Sequence, residues 1–354
     1  MDPRLGRGGI AAAIVGIVAT ATLVGPAVTV SAHSSKHAKG PVAPSAFKVS
    51  VFAKATAAFS NPDSVEVFGN NVFVGYQNVT SKTGSDGRSS TVVEYSLSGK
   101  LRRTFSVLGH VDGVRMNPST GLLWVLSNED ANPKLTIIDP ATGHFTQYAV
   151  PPVNAGSDPN NFGGYDDIAF TGGKIFFSAS NPFNNPNTDP AVVSVTISGS
   201  SVITTPVLLG NATATNVVGG GTVTLNLQDP DSLYVLPNGD LQLDSQADSE
   251  LVFIHNPGTG GQTVSVLSVG NQMDDTIFPT SASGTLLVAD TSGGAVYAFK
   301  SKHFDTTRYL SAAPSDSSVA GYVGLISPTT GSNTPIFTGM VSPHGEAFIP
   351  SSSH

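Results

Sequence analysis

One short phrase, an aspartate set just ahead of an apolar stretch, constrains this chain more than any other feature. It occurs as PDSVEV, VDGVRM, YDDIAF, PDSLYV and MDDTIF, placing Asp63, Asp112, Asp166, Asp231 and Asp274 at equivalent points. A sixth copy, PHGEAF, carries His344 in the aspartate's place. Repetition at this scale decides the architecture before any local propensity does. After each aspartate copy come a turn and a second apolar strand: NVFVGYQN, LLWVLSNED, KIFFSAS, DLQLDSQAD and TLLVADTSG. A further strand, a Gly-containing turn and another strand follow, as in EYSLSGKLRRTFSV and LTIIDPATGHFTQYAV. The unit is four antiparallel strands in about 45 to 65 residues, the size of a propeller blade. Such a sheet has two partly apolar faces, and radial packing of neighbouring blades buries both. The competing arrangement, a β-sandwich, rarely repeats one phrase in a fixed order.

Composition agrees with an all-β fold. Only 12% of the 354 residues are charged, while Gly (38) and Pro (24) are plentiful, as expected for many short strands joined by turns. No stretch beyond residue 40 keeps the period of an amphipathic helix, whereas two-residue alternation is common. Five units are complete, and the fifth carries the insertion AVYAFKSKHFDTTRYLSAAPSDSSVA. Two strands from that insertion, the His344 strand and the early strand AFKVSVFA together supply a sixth blade that joins both chain ends. We therefore expect a six-bladed β-propeller, with five blades as the alternative, over residues 46–350. The stretch NATATNVVGGGTVTLN between the third and fourth copies reads as an extended hairpin or loop.

The first 32 residues read as an export signal. Arg4 and Arg7 precede a long apolar run, and the small residues of VSA at Val30 to Ala32 suit cleavage before His33. The alternative is an uncleaved membrane anchor. Residues 33–45, polar and bearing Pro and Gly, read as a linker. The chain from His33 carries 15 basic against 24 acidic residues, so nucleic acid is not an expected partner, and a membrane is one only through an uncleaved leader. With no cysteine, disulfides and thiolate chemistry are excluded. A secreted or envelope-bound monomer is expected, its partner an unidentified small molecule or protein.

Phrases such as DGVRMNPSTGLLWVLSNEDANPKLTIIDPATG and DDIAFTGGKIFFSAS resemble the blades of the six-bladed propellers that include NHL repeats, the gluconolactonase-like proteins and virginiamycin B lyase. The resemblance spans about Ala46 to Pro350, and its motifs specify blades and not one chemistry. It implies, for the gluconolactonase-like group, one divalent metal held by an early glutamate, mid-chain asparagines and a late aspartate. Here Asp63 stands at the early place. For the virginiamycin lyase group it implies a histidine and a glutamate with Mg²⁺, and PHGE has those residue types at the C-terminus.

If each phrase opens the innermost strand of its blade, the five aspartates and His344 meet at one mouth of the channel. Carboxylates that close repel, raise their own pKa values or hold a cation such as Ca²⁺ or Mg²⁺, which makes Asp63, Asp112, Asp166, Asp231 and Asp274 candidate metal ligands. His344 is the candidate acid or base, and Glu346, two residues along, is placed on the same side of the sheet. The opposing interpretation is that each aspartate accepts backbone N–H bonds and pegs one blade to the next. Asn128 and Glu129, ending a second strand, either reach the same mouth or cap a loop. Two classes of function follow. One is an exported propeller that binds a ligand or partner at the mouth or face loops; the other is a metal-dependent, lactonase-like hydrolase or a lyase. Trp124, Phe73, Phe176, Phe177 and Phe253 are expected in the core, and VVGGGTV is a turn without phosphate-loop spacing.

Overall fold

Blade follows blade around a closed ring. In this computed structural model, which describes residues 40–315 and 319–351, the described strands form six sheets, each with a four-stranded antiparallel blade, and the described residues include no α-helix. The expected signal segment lies outside the described residues.

Blade one is Pro62–Phe68, Asn71–Tyr76, Ser89–Ser96 and Leu101–Leu108, from the channel outward. Blade two is Val111–Met116, Leu123–Ser127, Lys134–Ile138 and Phe145–Ala149, and blade three is Ile168–Thr171, Lys174–Ser178, Pro190–Ser198 and Ser201–Leu209. Blade four is Pro230–Val235, Leu241–Ser245, Glu250–His255 and Thr263–Ser268. The segment read as a hairpin is one: Thr213–Asn216 and Thr222–Thr224 turn through Gly219 to Gly221. It adds to the outer edge of blade four by parallel pairing with Thr263–Ser268.

Blades five and six are interwoven, which corrects the strand assignment read from the repeat. TLLVAD, read as the second strand after Asp274, lies instead in Gly284–Asp290, which pairs with the His344 strand, Pro343–Pro350. The Asp274 copy pairs with Tyr309–Ala313 from inside the insertion. The inner strand of blade five is only Thr276–Ile277, and Pro279, which has no N–H for a ladder, follows it after Phe278. The chain therefore crosses to blade six, lays down Gly284–Asp290 and Ala295–Ser301, and returns for Tyr309–Ala313, Tyr322–Ile326 and Asn333–Thr338. Blade six then takes its outer strand from Lys48–Lys54 and its inner strand from Pro343–Pro350. Val42 exchanges backbone bonds with Thr338 of blade five, at 2.7 and 3.0 Å.

The core is six layers, one between each pair of neighbouring blades. Two-residue alternation explains this. Phe176 packs toward blade four and the next residue, Phe177, toward blade two; Trp124 packs toward blade three and Leu123 toward blade one. Phe73 and Phe253 are buried as well.

Candidate functional site at the channel mouth

Four of the six inner strands begin with the same irregularity. Between Pro62 and Val65, Val111 and Val114, Pro230 and Leu233, and Pro343 and Glu346, the inner strand carries one more residue than its partner. This β-bulge re-aims the strand start and breaks the two-residue period. Its first consequence is that the pegs between blades are not the aspartates but the residues just after them. Ser64 donates its hydroxyl to the Asp112 carbonyl, and the Gly113 N–H donates to the Asp166 carbonyl at 2.8 Å. Asp167 accepts the Leu233 N–H at 2.9 Å, Ser232 hydrogen-bonds Asp275, and Asp275 accepts the Glu346 N–H at 2.7 Å. At the last junction a Cβ on Gly345 would run into the backbone of Asp63 and Ser64, so that close approach requires glycine.

The second consequence is that the ring residues are left free for the mouth. Among the described residues, no side chain of Asp63, Asp112, Asp166, Asp231 or Asp274 accepts a backbone N–H. Asp63 and Asp274 share His344, whose Nδ1 lies 3.3 Å from Asp63 and 2.6 Å from Asp274. Nε2 of His344 meets the Ser342 hydroxyl at 3.0 Å, and Gln246 donates to Asp274 at 2.9 Å. Burial opposes a charged imidazole, but Asp274 and then Asp63 outweigh it and raise His344 to about 9. At neutral pH His344 is thus a half-buried cation between the Asp63 and Asp274 carboxyl groups.

On the other side of the ring, among the described residues, no cation is bonded to the aspartates directly. Burial, reinforced by Asp166 and Glu129, pushes Asp112 well above the ordinary carboxylate value. Burial with Glu129 and Asp229 does the same to Asp166, and burial with Asp166 and Asp274 to Asp231. Asp63 is raised less simply: burial lifts it while His344 pulls it down. Glu129 reaches the mouth from the end of its strand. Burial alone would raise it, yet the His110 hydrogen bond and Lys82 bring it to about 2. Lys82 lies 2.8 Å from Glu129 and His110 Nε2 3.3 Å. One ligand atom each from His110, Asp112 and Glu129 fall within 4.8 Å of one another. Asn128, by contrast, caps a loop: at a φ of 73° it accepts the His110 N–H and donates to the Asn132 carbonyl.

Glu346 is not brought together with His344. The bulge inserts a residue between them, so Glu346 lies in the layer beneath the ring, 3% exposed, with neither carboxylate oxygen hydrogen-bonded. That layer also holds Glu66, Arg115, Asp167, Asp244 and Asp275, residues outside the six aligned positions. Arg115 bonds Asp167 at 2.5 Å and lies 3.9 Å from Asp275. Burial raises Glu66 and Asp275 to about 7 despite Arg115, and raises Glu346 and Asp244 well above the usual range.

No protein-family signature and no curated protein matches the chain. Solved structures similar to it include a protein provisionally named a gluconolactonase, 13% identical over 86% of this chain and 84% of that one, with a TM-score of 0.47. Virginiamycin B lyase from Staphylococcus aureus is 12% identical over 75% and 96%, TM-score 0.42. A protein from Lactobacillus plantarum is 11% identical over 83% and 89%, TM-score 0.49. The likeness expected from the blade phrases is thus found among solved structures. Identities this low concern the fold alone, and the six blades rest on this chain's own strand pairing.

Proposed function

We propose that the protein is an exported binding propeller whose channel mouth takes up a divalent cation, Ca²⁺ or Mg²⁺, through Asp112, Asp166 and Asp231, and through that cation an oxygen-bearing ligand. One observation carries the reading: the ring is electrostatically lopsided. His344 lies between the blade five and blade one aspartates, whereas among the described residues no cation bonds the three consecutive aspartates on blades two to four, the nearby Lys82 and His110 both being engaged by Glu129. Buried carboxylates without counter-charge either keep protons or gain a cation, and hard divalent ions prefer oxygen donors. Glu129 and His110 stand close enough to Asp112 to complete or orient such a set. Export rests on the leader-like first 32 residues and is checked by N-terminal sequencing of secreted protein, which should begin at His33.

Calorimetric titration of the full chain with CaCl₂ and MgCl₂ tests the cation. Binding at one site, lost in Asp166→Asn, is the expected result; heats absent for both ions would sink the proposal. Hydrolase or lyase chemistry is the second reading, supported by a histidine and a metal-type ring at one mouth. In it His344, protonated at neutral pH, serves as an acid or electrostatic clamp and not as a base. Turnover of lactones by the Ca²⁺-loaded protein, abolished by chelation and by His344→Gln, would establish it over simple binding.

A further inference from the structure

Beneath the ring lies a cavity of about 180 Å³ whose lining includes none of the six ring positions. Its polar wall is formed by Glu346, Asp244, Asp275, Glu66 and Arg115, and its other wall is hydrocarbon, including Val67, Ile277, Ala347 and Phe348. Exposed Thr280 lies on its lining, so it opens to solvent. The polar wall is incomplete in one sense only. Arg115 is spent on Asp167 and Asp275, the single cation of that layer among the described residues. Both oxygens of Glu346 and Oδ2 of Asp244 have no hydrogen-bond partner, although these residues are 3% and 1% exposed. Buried acceptors without donors are costly, and native structures rarely retain them without a use.

We infer that this cavity is a binding site for a small organic ammonium ion with a compact apolar tail. The unmet acceptors call for N–H donors carrying positive charge, and an ammonium group offers three. A bare metal ion would leave the apolar wall without a contact, and an anion would face four carboxyl groups. The size fits: a cavity of about 150 Å³ accepts benzene, so one slightly larger takes a molecule of that bulk with an amino group attached. The tail would lie against Phe348 and Ile277, and the ammonium would reach Glu346 and Asp244.

Titrating the full chain with benzylamine, benzyl alcohol, benzoate and CaCl₂ tests this. Saturable one-to-one binding of benzylamine is expected, at least tenfold tighter than benzyl alcohol, with no binding of benzoate. Glu346→Gln, which keeps shape but cannot ionise against a bound ammonium, should weaken benzylamine tenfold or more; should that variant not fold, Asp244→Asn takes its place. Asp112→Asn at the mouth should leave benzylamine affinity within twofold, which separates this site from the cation proposed above it. The inference is overturned if folded wild-type protein shows no saturable benzylamine binding, if benzyl alcohol binds equally well, or if Ca²⁺ displaces benzylamine in wild type and Asp112→Asn alike.

Discussion

Replacing Asp112 by asparagine should stabilise the cation-free protein, and by an amount that grows with pH. The Asp112 carboxyl is buried beside Asp166, Glu129 and Asp63, which lifts its pKa well above the ordinary 3.8. Between those two values the native state holds a proton that the unfolded chain releases, so stability falls as pH rises. Each unit corresponds to about 1.4 kcal/mol. From 3.8 to pH 7 the upper bound is therefore about 4 kcal/mol, which water penetration and side-chain relaxation reduce to about 1–3 kcal/mol. At pH 5 the same arithmetic leaves under about 1.6 kcal/mol. Asparagine is neutral at every pH and retains a donor for the hydrogen bond that Asp112 shares with Asp63. Urea unfolding of the two full-length proteins in EDTA at pH 5, 6 and 7 measures the difference directly. The variant's advantage should widen by about 1 kcal/mol per pH unit or a little more. In saturating Ca²⁺ the order should invert, because wild type gains about 2.7 kcal/mol at a hundred times the dissociation constant and the variant does not. A variant less stable than wild type at pH 7 in EDTA, or an advantage that ignores pH, would refute the reasoning and return the aspartate to a structural peg.

His344 imposes a second pH dependence. Its imidazole is raised from 6.5 to about 9, so its stabilisation is complete below pH 6.5 and disappears as pH climbs to 9; in EDTA the melting temperature should fall across that window, and the fall should shrink in His344→Gln. Asp167→Ala should cost about 3 kcal/mol in urea unfolding, because it strands the Arg115 guanidinium and the Leu233 N–H in a buried place. Gly345→Ala should cost at least about 2 kcal/mol by forcing blades six and one apart, whereas Gly87→Ala, in open space, should show only the strain of its positive φ.

The six ring residues of the repeat gather at one height of the channel because a phrase that recurs once per blade must recur there. What each residue does there was not legible, because it depends on the bulge. A bulge adds a residue to a strand without a sequence signature of its own; Ser64, Gly113, Asp167, Ser232, Asp275 and Gly345 show no common type, yet they occupy the blade junctions. The same bulge separated Glu346 from His344, which a regular strand would have kept together. Lys82 and His110 escaped notice because they come from loops between the repeated phrases. Arg115 and Glu66 offered a signal, charges within innermost strands, that alternation alone did not interpret. The crossover of Gly284–Asp290 into blade six was hidden because local similarity assigns a strand to its neighbour in sequence, while pairing follows edges free in space.

Blade six is assembled from three distant stretches, and the last of them, Pro343–Pro350, is also the strand that delivers His344 to the acidic ring. Translation therefore supplies every aspartate before it supplies the imidazolium set between two of them. A nascent or clipped chain lacking that strand has five carboxyl groups without their imidazolium, a channel with one wall missing and the edge of Gly284–Asp290 unpaired. An acidic ring without its imidazolium and an open strand edge then mark the same incomplete molecule, so the mouth is completed only in the step that seals the circumference.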